Sequence, residues 1–210
     1  MKKSITNWGN YPKLAADEYQ CSSVEQLKEL IAHNGTVIPR GKGYCYGDSS
    51  LNNHIISSLQ FNQILDFDAE KGIINCQSGV TLEDILETII PKGWFLPVTP
   101  GTKYITVGGA LASDVHGKNH HKEGCFSNHV IDFEIVTADN HVHTCSKDEN
   151  AELFNTTAGA MGLTGFITRV KFSLKKIESS YIYETEIKAN NLDEIFDLFQ
   201  QYKDATYTVA

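Results

Sequence analysis

Hydrophobic positions along the chain repeat with two periods. Val24, Leu27, Leu30 and Ile31 fall on one helical face behind Ser22-Ser23-Val24-Glu25, which predicts a helix capped by Ser22, with Glu25 as reciprocal partner, and ended by Asn34-Gly35. Thr36–Pro39 predicts a short strand, and Ile64–Phe67 and Gly72–Cys76 two more around an Asp68–Lys71 turn. Leu82, Ile85, Leu86 and Ile89 mark a second helix, capped by Thr81 and stopped at Pro91. Alternation with period two through Val130–Thr137 and His141–Cys145, across Ala138-Asp139-Asn140, predicts a hairpin. A short helix holds Glu152–Phe154, and Phe166–Leu174 predicts a strand whose alternation is imperfect. Beyond Lys175-Lys176 the pattern predicts a strand at Tyr181–Tyr183, an amphipathic helix over Leu192–Tyr202 and a strand at Thr206–Val209. That last strand runs to Ala210, which leads us to expect a second domain cut short inside its sheet.

One stretch fits neither period. Pro97 to Thr102 leads through Ile105 and Thr106 into Val107–Val115, where the side chains are mostly small, and then into His116, Lys118, His120 and His121. Such a run either packs tightly on another element, followed by a solvated loop, or lets a flat ligand lie on its backbone. Two further glycine-rich turns accompany it: Arg40-Gly41-Lys42-Gly43-Tyr44-Cys45-Tyr46-Gly47 and Gly159–Gly165. The amides of the first can turn inward together and hold an anion. Each turn alone could be a plain connection. The three together suggest a long ligand with its diphosphate in one loop, which would be FAD or NAD. Neither a Walker loop nor a GxGxxG dinucleotide turn is present, and the missing GxGxxG argues against a Rossmann unit.

Composition narrows this further. The 210 residues are 41% hydrophobic and 21% charged, an ordinary globular balance for one large domain, or one domain and part of another. A net charge of −8, with no basic run, argues against nucleic-acid binding. No apolar stretch is long enough for a membrane span and no signal-peptide core follows Met1-Lys2-Lys3. Five scattered cysteines form neither a disulfide framework nor a zinc pattern, so reduced cytosolic thiols are expected. His116, His120, His121 and His129 invite a metal reading. Gly117 and the nearby lysines work against a helical His-x-x-x-His pair, only Glu123 is placed as a third ligand, and no metal is expected. No Gly-x-Ser-x-Gly elbow supports a hydrolase, and Cys125 beside His129 lacks the context of a nucleophile.

Four blocks then resemble the FAD-binding lobe of the vanillyl-alcohol oxidase / p-cresol methylhydroxylase flavoprotein superfamily, nearest its decaprenylphosphoryl-ribose 2′-oxidase branch. They are Pro39–Asp48; Pro100-Gly101-Thr102 with Thr106-Val107-Gly108-Gly109; His116-Gly117-Lys118-Asn119-His120-His121; and Gly162-Leu163-Thr164-Gly165, in the family's order. The resemblance implies an α+β fold of two subdomains gripping FAD, with residues 1–176 as the FAD-binding domain and 177–210 as the start of a truncated α+β substrate domain. It implies that Arg40, Gly41, Lys42, Gly43, Tyr44 and Cys45, entered through Ile38 and Pro39, hold the diphosphate. Gly101, Thr106, Val107, Gly108, Gly109, Ser113, Asp114, Val115, His116 and Gly117 would lie along the cofactor, with Ile167 at its other end. Tyr44 and about Thr102 stand where some relatives carry a histidine or cysteine tether, so the FAD is expected to be non-covalent.

The chemistry implied is oxidation of a secondary alcohol of a sugar-like substrate by hydride transfer to flavin N5. His116 and Lys118 would support it from the substrate side, and the base would lie outside this chain, so the fragment alone would be inactive. The rival readings are a non-catalytic module of the same fold, an NADPH-dependent cell-wall precursor reductase, and a metal hydrolase. The expected setting is cytoplasmic, with membrane association of a full-length protein left open. Nothing in the residues assigns an oligomeric state.

Overall fold

The protein is described from a computed structural model covering residues 2–210. Two sheets share the body. Strands β1 (Lys3–Ile5), β2 (Leu14–Gln20), β3 (Ile38–Arg40) and β4 (His54–Ser57) form the first, in the order β1-β2-β4-β3; β1 runs antiparallel to β2, while β2 and β3 flank β4 in parallel. Helix α1 (Val24–His33) makes the crossover that a parallel pairing requires. Its cap is Ser23, which accepts from Gln26 N at 3.3 Å, while the Gln26 side chain accepts from Ser22 N. The expected Ser22/Glu25 box is therefore displaced by one residue, because Ser23 holds the extended backbone at φ −137° that a cap needs.

The second sheet is antiparallel: β5 (Ile64–Asp68), β6 (Ile73–Gln77), β10 (Phe166–Ser173), β8 (Val130–Val136) and β9 (Val142–Ser146), in that spatial order. Strands β7 (Trp94–Phe95) and β11 (Lys175–Lys176) pair separately. The imperfect alternation in β10 has a physical cause. Its register against β8 shifts between Ile167 and Arg169, so Phe166, Ile167 and Thr168 are all buried in succession.

Helix α2 (Leu82–Ile89) is capped by Thr81 as the sequence predicts, and Asp84 completes a capping box, Thr81 Oγ1 accepting from Asp84 N and Asp84 accepting from Thr81 N. It lays Ile85 and Ile89 on a core shared with Ile74 and Cys76 of β6, Phe133 of β8 and Val170 and Phe172 of β10. Helix α3 (Val107–Ala112) buries Val107, Ala110 and Leu111 there, and α5 (Ala151–Thr157) adds Phe154. A smaller cluster of Leu27, Ile56, Phe61, Val136 and Phe166 joins the two sheets, with the Phe61 and Phe166 ring centroids 5.4 Å apart. This is an α+β fold, and among the described residues there is no doubly wound parallel sheet.

Two expected strands are absent. Tyr181, Ile182 and Tyr183 form no ladder and are exposed, and Thr206–Val209 is irregular. Alternation alone does not make a strand; its amides need a neighbouring edge, and among the described residues these segments have none. Helix α6 (Leu192–Gln201) forms as expected, with Asn191 as cap, yet buries none of its residues.

Stability should divide the same way. Ile85→Ala is expected to cost about 2–5 kcal/mol, whereas Phe196→Ala, on exposed α6, should change stability by less than about 0.5 kcal/mol; urea unfolding midpoints measure both.

Candidate functional site

Between the sheets lies a cavity of about 540 Å³, well within the range of small-molecule and cofactor pockets. All three glycine-rich turns reach it. Residues 39–47, the end of β3 and the loop that follows it, form one wall; Gly101, Ile105, Thr106, Gly108, Gly109, Ala112, Ser113 and Val115 form another; Met161, Gly162, Gly165 and Ile167 close it. The fold thus gathers segments that the chain keeps far apart.

The first turn is built around a charge. Arg40, at the end of β3, is 9% exposed, and its Nη1 donates to Asn7 Oδ1 (2.5 Å) and to Ser50 O and Oγ (both 3.3 Å). Its Nη2 donates to Thr6 O at 2.7 Å. Among the described residues no carboxylate pairs with it. Burial holds its pKa below the ordinary arginine value, while Cys45 and Glu18 act the other way; the guanidinium nevertheless stays charged. Gly43 sits at φ +71°, and a Cβ there would overlap Arg40 Nη2, so backbone conformation and side-chain space both call for glycine. Among the described residues, the amides of 41–47 donate to no acceptor in the protein. Seven amides beside an uncompensated buried cation make a site for an anion.

The second turn contributes differently. Val107 N donates to Val80 O, Gly108 N to Ser78 O and Gly109 N to Thr106 Oγ1. Those donors are spent inside the protein, so this wall offers a surface of small residues and not an amide cradle.

Of the residues expected to touch a cofactor, Pro39, Arg40, Gly41, Lys42, Gly43, Tyr44, Cys45, Gly101, Thr106, Gly108, Gly109, Ser113, Val115 and Ile167 line the cavity. Ile38 and Val107 do not: both point into hydrophobic clusters. Asp114, at φ +42°, turns away and accepts from Ser127 N at 2.9 Å. His116, Gly117 and Lys118 also lie outside the lining, with both long side chains exposed and the His116 ring 5.2 Å from that of His120. Trp8, Ser49, Ser50, Ser58, Ser78 and Met161 line the cavity without having been singled out in the sequence. Ser78 is 1% exposed and its Oγ has no partner in the protein. Met161 lies within the Gly159–Gly165 turn, and the others come from turns and loops that no local motif marks.

Among the described residues no cluster suits a metal ion. Cys125 Sγ lies 4.0 Å from His120 Nδ1, but burial and then Asp114 push its thiol pKa up, contrary to what a nucleophile needs.

A two-sheet α+β body whose cavity joins an anion-binding loop to a wall of small residues defines a domain for a long ligand with an acidic middle and a flat end. The chain belongs to the FAD binding domain family, matched over residues 19–146, and to the vanillyl-alcohol oxidase / p-cresol methylhydroxylase superfamily. It is 33% identical to decaprenylphosphoryl-β-D-ribose oxidase of Mycolicibacterium smegmatis over 99% of this chain and 47% of that protein. It is 26% identical to L-gulonolactone oxidase of Bos taurus over 91% of this chain and 44% of that protein. With Delta(24)-sterol reductase of Homo sapiens the identity is 30% over 55% of this chain and 22% of that protein. The chain thus spans less than half the length of these relatives. FAD is the cofactor of the family, and the cavity's donors suit it: free amides and a buried cation for diphosphate, small residues for a flat ring.

Thiol chemistry reports on this arrangement. Cys76 is pushed up to about 12, and Cys21 and Cys145 to about 11, in each case chiefly by burial. In the folded chain at pH 8, a disulfide reagent should therefore reach Cys45 and, more slowly, Cys125, the two that are not buried, and the other three only after denaturation.

Proposed function

We propose that this chain is the FAD-binding part of a flavin-dependent oxidoreductase that oxidises a secondary alcohol of a sugar or sugar-like substrate, free or lipid-linked, with FAD held non-covalently. The observation that carries the reading is the unpaired Arg40 guanidinium beside seven unspent amides in a cavity of cofactor size. The likeness to a ribose oxidase over nearly the whole chain supports the alcohol and sugar parts of it. The absence of a histidine or cysteine at Tyr44 and Thr102 supports a non-covalent cofactor.

FAD, when bound, supplies a hydride acceptor at flavin N5. The chain's own residues bind and orient. Arg40 and the 41–47 amides neutralise the diphosphate without having to reorganise, because their positions are already fixed by Asn7, Thr6 and Ser50. Ala112 and Ser113 let a flat ring approach the α3 backbone. His116 and Lys118, just past Val115 and exposed, polarise the substrate hydroxyl from outside the cavity lining. With that acceptor in place, a secondary alcohol would leave as a ketone, its hydride taken by the cofactor and its hydroxyl proton by a base other than His116 and Lys118.

The test is direct. After loading with FAD and desalting, the protein should show the flavin bands, and acid precipitation should leave the colour in the supernatant. FAD should also slow alkylation of Cys45, which lines the cavity, and leave Cys125 unaffected. A yellow pellet would contradict the non-covalent assignment, and a colourless protein with Cys45 equally reactive would contradict the cofactor site itself.

A further inference from the structure

The segment His116–Glu123, which ends in the short helix α4 (His120–Glu123), is gripped from two sides. On the inner side Asn119 is fully buried and its Nδ2 donates to Pro97 O at 2.7 Å. A Cβ on Gly117 would overlap the Thr99 carbonyl, so the chain passes there directly over backbone. On the outer side the partners come from the far end of the sequence. His121 Nε2 donates to Ala205 O (3.0 Å), Lys122 Nζ donates to Asp204 O (2.6 Å), and Thr208 N donates to Lys118 O (3.0 Å). Lys175 bridges the two, with Nζ 2.9 Å from Glu123 Oε1 and 5.7 Å from the Tyr207 ring centroid.

These contacts are selective. Among the described residues, the three bonds to 118–122 are the only hydrogen bonds that tie residues 178–210 to the rest of the protein. Helix α6 buries nothing that would hold the segment elsewhere. Two of the three acceptors are backbone carbonyls of 204–205, reached by side chains of adjacent residues on α4, and the third bond is backbone to backbone. A segment attached at one place only acts on that place.

We propose that residues 204–208 form a strap that positions the His116–Lys118 segment, with His121 and Lys122 as positioning residues. This rests on the reading of His116 and Lys118 as the substrate-side groups. The strap leaves both of those side chains free while pinning the backbone at Lys118 O and, just beyond it, through α4. It would make the geometry next to the substrate depend on the segment after residue 177, so that the two parts of the protein assemble the site jointly.

Hydrogen exchange on the full chain tests it without flavin. The amides of Lys122, Glu123 and Gly124 are bonded to the Asn119 and His120 carbonyls, so their protection reports opening of the segment. In the double variant His121→Ala/Lys122→Ala they should exchange about ten-fold faster, and the His116 and His120 imidazole resonances should move, while the β10 amides keep wild-type protection. Thr208→Pro, which deletes the N–H donor and touches neither side chain, should give the same pattern, whereas the single variant Lys122→Arg, which keeps a cationic donor, should retain wild-type protection. Unchanged exchange at 122–124 in both disruptive variants, or loss of protection spread equally into β10, would overturn the strap. Failure of the chain to retain FAD would instead defeat the cofactor reading and leave this result standing.

Discussion

A buried guanidinium must be surrounded by acceptors, and Arg40 has them in Asn7, Thr6 and Ser50. What it lacks is a negative charge. In a region of low dielectric that deficit is unfavourable unless an anion answers it. The amides of 41–47 face the same deficit, and the loop that carries both is shaped by Gly43, the one residue type that tolerates its conformation and leaves room for Arg40. N-terminal strand, first glycine loop and cavity therefore form one device: Asn7 fixes the arginine, and its Nδ2 also holds Gly47 O and Ser49 O at the loop's far end.

The rest of the fold holds that device against a flat wall. The Phe61–Phe166 contact and its neighbours join the first sheet to the second, and α3 brings its small residues to the opening between them. Because the amides at the start of α3 are bonded to Val80 and Ser78, that wall is rigid and electrically quiet. The two walls divide the labour: one supplies charge and donors, the other supplies contact area.

Much of this was legible in the sequence, for identifiable reasons. Caps and hairpins are local, so Thr81 and the 130–145 hairpin could be read directly, and Ser23 was missed by one residue only because two serines compete for the same role. The convergence of the three glycine turns could be inferred from their occurrence together in one domain, since each alone could be a plain connection. Facing was not legible at motif level: in β3 successive side chains point to opposite sides, so Ile38 enters a core while Pro39 lines the cavity. Val107 and Gly108 divide likewise at the start of α3. Trp8 and Ser78 reach the site from turns remote in sequence, which no local pattern records. The strands expected at 181–183 and 206–209 failed because alternation describes a strand's faces and says nothing of its edges.

We propose that the 41–47 loop with Arg40 holds the diphosphate and is the main anchor of the ligand. The measurement that tests it most directly compares the affinity of the chain for FAD and for riboflavin, which carries the same flavin ring without the diphosphate. If charge-assisted bonds at this loop dominate, FAD should bind at least about 100-fold more tightly, and ADP should compete with it. Equal affinity for FAD and riboflavin, with no competition by ADP, would contradict the account.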